Sequence, residues 1–202
     1  IKSTIAYAMV RLSGYKKEET LIDPFCISGS IGIEAALFNN NLPVRYFDKE
    51  EFLFNKFIKF DFKDIDKKST KIKSNIYALD SLFKNINASK KNAKIANVNK
   101  LINFSRTEID WLDTKFDKEN VDRIVTCIPN ITKYTNENEL LKVYNEFFHQ
   151  AEFILKKKGI IVICTTNPEK IKESSKERFE LEMEKEVWQG KEKLVLLKLS
   201  KK

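Results

Sequence analysis

The sequence has 202 residues, which is long enough for one domain with a sizeable hydrophobic core. Hydrophobic residues make up 42% and charged residues 33%, a composition that excludes disordered, collagen-like and disulfide-scaffold proteins, and no apolar run is long enough to span a bilayer. Lys and Arg exceed Asp and Glu by 37 to 29, and the basic excess is concentrated in residues 56–73 and 84–100. Such an uneven basic surface suits a polyanion such as RNA. The alternative is that the source proteome is rich in lysine and that these lysines only contact solvent.

Predicted helices and strands alternate along most of the chain. We expect Leu82, Ile86, Ala93 and Ala96 to share the buried face of one helix, and the lysines at 156–158 to end a later one. The pattern predicts an α/β fold with a mixed sheet of about seven strands, parallel except for one strand of a C-terminal hairpin, in a single domain over residues 1–202. The predicted elements are helices at 3–12, 30–38, 81–96 and 137–155, strands at 21–22, 75–79, 101–107, 121–127 and 160–165, and a closing hairpin of 179–188 and 192–199.

The segment between the first and second predicted strands is aromatic. Asp48 and Glu51 have the spacing of a capping pair, and a phenylalanine-rich stretch at 52–62 follows them. We interpret these phenylalanines as a core face, with stacking on RNA bases as the alternative.

Cysteine and histidine are sparse. Cys26, Cys127 and Cys164 lie far apart in the sequence, and with a single histidine they lack the spacing of metal ligands. We therefore expect no bound metal, no membrane segment and a reducing, cytoplasmic compartment. The sequence opens on Ile with no secretory pattern, so we interpret it as a fragment whose partner domain is missing.

The strongest local signal is a sharp turn between a strand and a helix. The predicted strand at 21–22 ends at Asp23, small residues at 28–30 allow a tight turn, and a helix begins at Ser30. The exposed N–H groups of that helix would face a ligand at the carboxyl end of the strand. Asp80 ends the next predicted strand, where its carboxylate can accept both hydroxyls of an adenosine ribose. Asp23 lies at the end of its own strand and either lines the same pocket or caps its turn.

Several motifs resemble one enzyme family. Residues 23–36 (DPFCISGSIGIEAA) resemble the DPFCGSGTIxIEAA element of THUMP-associated S-adenosylmethionine-dependent RNA methyltransferases, and residues 76–80 (IYALD) resemble their IxGxD. Further similarity at 87–98, 102–112 and 122–126 extends it over nearly the whole chain. The resemblance implies a Rossmann-like class I methyltransferase fold, S-adenosylmethionine as cofactor, and methylation of the exocyclic N2 of guanine in tRNA or ribosomal RNA. It also implies a THUMP module on the N-terminal side.

The resemblance assigns roles to residues of this chain. The adenine amino group would lie near Glu108, with Asp110 and Asp113 as neighbours able to share that role, and the ring would meet the backbone of Ile109. Asp80 would accept the ribose hydroxyls. The methionine and ribose side of the cofactor would be lined by Phe25, Ser28, Gly29 and Ser30, with Cys26 and Asp23 as further lining residues.

The chain departs from the family at two places. Ile27 stands at a glycine position, where glycine permits a positive φ or a close approach of the cofactor. The catalytic motif Asn-Pro-Pro-Tyr, which orients the target amine, is replaced by Cys127, Ile128, Pro129 and Asn130. A thiol is a poor substitute for an amide acceptor, which leaves the backbone carbonyl of Ile128, or Asn130 and Tyr134 after a local shift, as candidates.

These observations leave more than one function open. The first is an active RNA methyltransferase whose partner is RNA, with tRNA preferred. The second is a degenerate methyltransferase fold that binds RNA or protein without catalysis. A nucleophilic role for Cys127, as in cytosine-C5 methyltransferases, would require a thiolate, and no neighbouring base is visible in the sequence.

Overall fold

The computed structural model describes residues 1–43, 46, 48–69, 74–131 and 136–202. The strands are β1 (Leu21–Asp23), β2 (Ile76–Asp80), β3 (Asn103–Arg106), β4 (Val121–Cys127), β5 (Leu155–Thr165), β6 (Phe179–Gln189) and β7 (Glu192–Lys201). They form one seven-stranded sheet in the order β3-β2-β1-β4-β5-β7-β6. Among the described strands, β7 alone runs opposite to the other six, which confirms the predicted mixed sheet and closing hairpin.

Helices cover both faces of the sheet and bury two separate apolar clusters. One cluster includes Ile5, Ala35 and Ile86 from α1, α2 and α4, and the other includes Tyr144 and Phe147 from α6. Burying a large apolar side chain contributes about 1.5–3 kcal/mol, so these two clusters hold the helices on the sheet. The helices are α1 (Ser3–Leu12), α2 (Ser30–Asn39), α3 (Lys63–Asp66), α4 (Phe83–Ile95), α5 (Leu112–Lys115), α6 (Glu137–Ile154) and α7 (Pro168–Ser175).

The parallel registers bring three strand ends to one edge of the sheet. Asp23 pairs with Ala78 across β1 and β2, and Ile22 pairs with Ile124 across β1 and β4. Ligands of open α/β sheets bind at the carboxyl ends of the strands. The carboxyl ends of β1, β2 and β4 therefore position the candidate site.

Two predicted helix boundaries were wrong. Helix α4 begins at Phe83, and Leu82 is 49% exposed and does not share the buried face of Ile86 and Ala93, because its N–H still belongs to the turn after β2. The lysines at 156–158 do not end a helix. Helix α6 ends at Ile154 and β5 begins at Leu155 without a connecting loop, so these lysines lie in the strand.

The aromatic segment differs from both parts of its prediction. Residues Lys49–Glu51 form a short 3-10 turn that the Asp48 side chain does not cap. The phenylalanines do not join the two main clusters. They pack on one another, with the Phe60 and Phe62 ring centroids 4.9 Å apart, around a cavity of about 540 Å³, and Phe57 is 85% exposed.

Candidate cofactor and acceptor site

The turn between β1 and α2 is fastened to β2 by two backbone donors. The N–H of Cys26 donates to the carbonyl of Leu79 at 2.8 Å, and the N–H of Ile27 donates to Asp80 Oδ2 at 3.1 Å. These bonds place the small-residue turn against the acid that ends β2. The sequence predicted that the turn and Asp80 would share one edge of the sheet, and the structure brings them into direct contact.

The turn contains two residues with positive φ. Gly29 has φ 80° at the N-terminus of α2, and a Cβ on it would lie 2.9 Å from Ser89 Cβ, so only glycine allows this close approach to α4. Ile27 has φ 49°, the left-handed conformation that a glycine would adopt freely. A β-branched side chain in that region costs about 1–2 kcal/mol, so the surrounding hydrogen bonds must hold Ile27 there.

A polar face of α4 supplies those hydrogen bonds, and the sequence reasoning missed it. Ser89 Oγ donates to the Ile27 carbonyl at 3.2 Å, and Asn92 Nδ2 donates to the Ser28 carbonyl at 2.9 Å. Asn85 Nδ2 donates to Asp80 Oδ1 at 2.9 Å. Residues 85, 89 and 92 have the i, i+4, i+7 spacing of one helix face, and this spacing of polar residues was the available signal.

Asp80 is already well supplied with donors. It is 5% exposed, and its Oδ1 also accepts the N–H of Leu82 at 2.9 Å. With the bonds from Ile27 and Asn85, the described contacts occupy three of the roughly four acceptor positions of a carboxylate. Accepting both hydroxyls of a ribose would therefore require one of these bonds to open.

Asp23 is a buried acid that caps its own turn. It is 1% exposed, and its Oδ1 accepts Thr126 Oγ1 at 2.7 Å and the N–H of Phe25 at 3.4 Å. Burial raises the pKa of Asp23 to about 7, outweighing these hydrogen bonds, which lower it. The bond to Thr126 joins the end of β1 to the residue before Cys127. The turn after β1 therefore lies next to the acceptor segment, residues 127–130.

The other residues of the turn after β1 pack against α6, α2 and α4. The Phe25 ring packs on Phe147, with centroids 5.9 Å apart, and Ser28 Oγ lies 3.1 Å from Ser30 Oγ at the start of α2. The Cys26 thiol is buried beside Ser89 Oγ at 3.3 Å, and burial raises its pKa to about 12. Cys26 is therefore a neutral packing residue at ordinary pH.

Glu108 and Ile109 follow the neighbouring strand, β3. The N–H of Thr107 donates to the Asp80 carbonyl at 3.1 Å, which brings this segment beside the end of β2. Glu108 Oε1 lies 3.7 Å from Arg106 Nη2, and both residues line a cavity of about 500 Å³ together with Trp111. Ile109 packs against the α6 cluster.

The acceptor segment holds a thiol pair that sequence separation concealed. Cys127 ends β4 directly opposite Cys164 of β5, so two cysteines that lie far apart in the sequence are neighbours in the sheet. A hydrogen bond to the Cys164 sulfur and burial raise the pKa of Cys127 well above its usual range. A thiol held in this form is a poor nucleophile, which argues against the covalent role.

The remaining acceptor residues are buried or make hydrogen bonds within the protein. Ile128 is 1% exposed, the carbonyl of Pro129 accepts the Tyr144 hydroxyl, and Asn130 Oδ1 accepts the N–H of Thr166 at 2.9 Å and Thr165 Oγ1 at 3.2 Å. The side-chain carbonyl of Asn130 thus holds the loop after β5 in place. Tyr134, the alternative aromatic, lies outside the described residues.

Similarity to known proteins decides the family. A family model described as "RMKL-like, methyltransferase domain" (UPF0020) matches residues 1–196. The chain belongs to this family of RMKL-like methyltransferase domains. It is 31% identical over 196 residues to the tRNA (guanine(6)-N2)-methyltransferase of Methanocaldococcus jannaschii, a match that covers 94% of this chain and 51% of that protein. It is also 31% identical over 165 residues to the ribosomal RNA large subunit methyltransferase K/L of Buchnera aphidicola, covering 71% of this chain and 22% of the relative.

Solved structures support the same fold for this RMKL-like domain. The structure of SMU.472 complexed with SAH superposes with a TM-score of 0.83 at 20% identity, over 100% of this chain and 53% of that one. TrmN from Thermus thermophilus gives a TM-score of 0.75 at 23% identity, over 100% of this chain and 49% of that one. The chain thus spans about half the length of these proteins or less. Among the residues that the structure describes, no helix is long and apolar enough to cross a membrane.

Proposed function

We propose that this domain is an S-adenosylmethionine-dependent RNA methyltransferase that modifies the exocyclic N2 of a guanine, with tRNA as the substrate. The observation that carries the proposal is the hydrogen bond from Ile27 to Asp80, which joins the turn after β1 to the acid ending β2 at the ligand-binding edge of the sheet. The named relatives that methylate guanine N2 in tRNA support the choice of substrate.

The residues around Asp80 offer a surface for the adenine ring but leave only one acceptor position for the two ribose hydroxyls. Ile27 and Leu82 are about half exposed beside Asp80 and offer apolar surface for an adenine ring. Asp80 Oδ2 has room for one ribose hydroxyl, and the second requires the Ile27 or Leu82 bond to open. The cofactor supplies the methyl group when bound. The chain's own part is to hold the adenosine at Asp80 with the turn at 28–30 beside it.

The target amine must be held by the segment at the end of β4. An amine attacks through its lone pair, so acceptors must bind its two hydrogens and turn that lone pair toward the methyl group. The Pro129 carbonyl already accepts Tyr144, and Asn130 Oδ1 accepts two donors. We assign the main acceptor role to the backbone carbonyl of Ile128, with Cys127 as a neutral neighbour.

A non-catalytic role is the second candidate, and specific contacts favour it. The Cys127 thiol is hydrogen-bonded to Cys164, and Asn130 Oδ1 already accepts two protein donors. Ile27 adopts a strained positive φ at a glycine position of the family. Each change weakens cofactor or amine binding. A domain with all three would retain the fold and its RNA surface while losing methyl transfer.

One experiment separates the two functions. Labelled S-adenosylmethionine is titrated calorimetrically into the 202-residue chain and then used in single-turnover methyl transfer to an unmodified tRNA transcript, with the product nucleoside identified by digestion and mass spectrometry. The proposal expects cofactor binding and N2-methylguanosine. Binding with a different methylated nucleoside would contradict the guanine assignment, whereas the absence of both binding and transfer would establish the non-catalytic role.

A further inference from the structure

Helix α4 carries a basic surface without acidic partners. Residues 81–100 contain five lysines and no Asp or Glu. In the part of the chain that the structure describes, none of these five lysines takes part in an ion pair, whereas Lys172, Lys176 and Lys198 on the far side of the sheet are each paired with glutamates. The lysines of α4 and its C-terminal turn are Lys84, Lys90, Lys91, Lys94 and Lys100.

Three of these lysines line a cavity at the edge of the sheet. Lys90, Lys91 and Lys94 surround a cavity of about 330 Å³ together with Asn99 and Phe104, which we call the lysine cleft. Phe104 belongs to β3, the edge strand, and is half-buried, so part of its ring is available to a ligand. Positive charge beside a partly exposed aromatic ring is the combination that binds single-stranded nucleic acid.

We propose that the lysine cleft binds the sugar-phosphate backbone of the RNA substrate, with the lysines on phosphates and Phe104 against a base or ribose. This inference rests on the proposed function, because RNA is the partner that the function supplies. Lys84 follows Asp80 by one turn, and α4 carries the basic surface about 15 Å further, to Lys94, at 1.5 Å per residue. The lysines of α4 therefore extend from the end of β2 to the cleft, which gives an RNA strand bound at the candidate site a basic path along the helix.

An acidic protein is a less suitable occupant. The lining of the cleft contains no carboxylate and no second aromatic residue that would select a folded partner, and its charged residues are three lysines. Phosphate contacts release counterions, so the RNA interpretation predicts a strong dependence of affinity on salt.

The test compares two triple variants that remove the same charge at opposite edges of the sheet. Lys90→Gln/Lys91→Gln/Lys94→Gln alters the cleft, and the control Lys172→Gln/Lys176→Gln/Lys198→Gln alters residues at or near β6 and β7. Binding of a fluorescently labelled tRNA transcript is measured by anisotropy between low and moderate salt. We expect the cleft variant to bind about tenfold more weakly at low salt and to lose about two from the log–log salt slope, since each phosphate contact contributes about 0.7–0.9. The control should remain within about twofold of wild type.

Equal losses of tRNA affinity in both variants, or no loss in either, would overturn the proposal that the lysine cleft binds RNA. Lysine acetylation footprinting with and without RNA adds a site-specific readout, in which Lys90, Lys91 and Lys94 become protected and Lys176 does not. Phe104→Leu keeps an apolar side chain for packing and should weaken RNA binding by about fivefold, because stacking on the ring is lost. Unchanged affinity would remove Phe104 from the site.

Competitors and activity separate this inference from the proposed function. Polyglutamate or AMP competing as well as RNA at equal charge would assign the cleft to an acidic protein or a mononucleotide and overturn the proposal. If wild type methylates RNA while the cleft variant binds tRNA normally, the cleft is wrong and the function stands. If wild type neither transfers methyl nor binds RNA in a salt-dependent way, both are wrong.

Discussion

The N–H of Ile27 lies 3.1 Å from Asp80 Oδ2, and this bond joins the strained residue of the first turn to the acid of the second strand. Ile27 holds φ 49° without the freedom of glycine, and Asp80 and Ser89 fix its N–H and carbonyl from either side. The loop is therefore preorganised by α4 and β2, and its strain is stored where the cofactor would bind.

Replacing Ile27 with glycine should relieve this strain. We expect Ile27→Gly to raise the free energy of unfolding by about 1 kcal/mol, because release from the left-handed region exceeds the added chain entropy of glycine. Affinity for S-adenosylmethionine should also rise as side-chain bulk disappears. Urea denaturation and calorimetry measure the two effects. Asn97→Gly is the matched control at φ 54°, where asparagine tolerates the conformation and neither quantity should change much. A lower free energy of unfolding for Ile27→Gly would contradict the interpretation that Ile27 is strained.

Asp80 has two separable roles that one pair of variants can test. Asp80→Ala leaves three protein donors without an acceptor and should lower stability by about 1–3 kcal/mol per buried group left unpaired, and it should weaken S-adenosylmethionine binding tenfold or more. Asp80→Asn keeps one acceptor oxygen and should lose less stability than affinity. Asp117→Ala removes an exposed acid with no described contact and should alter neither. Unchanged cofactor affinity in the Asp80→Ala variant would refute the placement of the ribose.

The polar face of α4 should matter for the loop more than for the fold. Asn92→Ala removes the donor to the Ser28 carbonyl, and Ser89→Ala removes the donor to the Ile27 carbonyl. Each should cost about 0.5–1.5 kcal/mol of stability and a larger share of cofactor affinity, since the turn loses its positioning. Thermal unfolding and calorimetry provide the comparison. The control is Asn87→Ala, an exposed position of the same helix where the higher helix propensity of alanine should leave stability unchanged or slightly raised. A similar loss in that variant would contradict a specific role for the contacts to the loop.

Substitutions at Cys127 test the acceptor assignment. If the domain transfers methyl through the Ile128 carbonyl, Cys127→Asn should keep or raise the single-turnover rate, because an amide is the better acceptor, and Cys127→Ala should cost little. Cys164→Ala, which removes the hydrogen-bonding neighbour, should leave the rate near that of wild type. Robust wild-type transfer that both Cys127 variants abolish would instead establish a covalent role and overturn the positioning account.

Burial of Asp23 predicts a specific dependence of stability on pH. Its pKa rises from 3.8 to about 7 on folding, so the folded chain keeps a proton that the unfolded chain has released across this window. This group's contribution is thus fully present at the acidic end and decreases by roughly 1.4 kcal/mol per pH unit as pH rises. Asp23→Asn should remove that slope, measured as the difference in unfolding free energy from wild type between pH 4 and 8. Thr126→Val, which removes a hydrogen bond to the carboxylate, should raise the pKa of Asp23 further and extend the same decrease to higher pH. Parallel profiles for wild type and the Asn variant would show that Asp23 titrates normally.

The fold could be predicted from local sequence patterns, and those patterns also indicated a candidate site. Helix α1 ends at Leu12 and strand β4 spans 121–127 as the sequence predicted, because local periodicity reports which face is buried. The turn at 28–30 and Asp80 at a strand end predicted the site, because carboxyl ends of parallel strands meet at one edge. The chain's family followed from those same residues.

The contacts that depend on strand register and packing could not be predicted from the sequence. Cys127 and Cys164 are neighbours only because β4 and β5 pair in one register, which no sequence spacing reveals. Ile27 adopts a glycine-like φ because Asp80 and Ser89 hold it, overriding its own preference. Asp80 accepts three protein donors because the turn after β1, the turn after β2 and α4 all approach its carboxylate. Local propensity sets which elements form, whereas long-range hydrogen bonds and burial set how each side chain at the site is used.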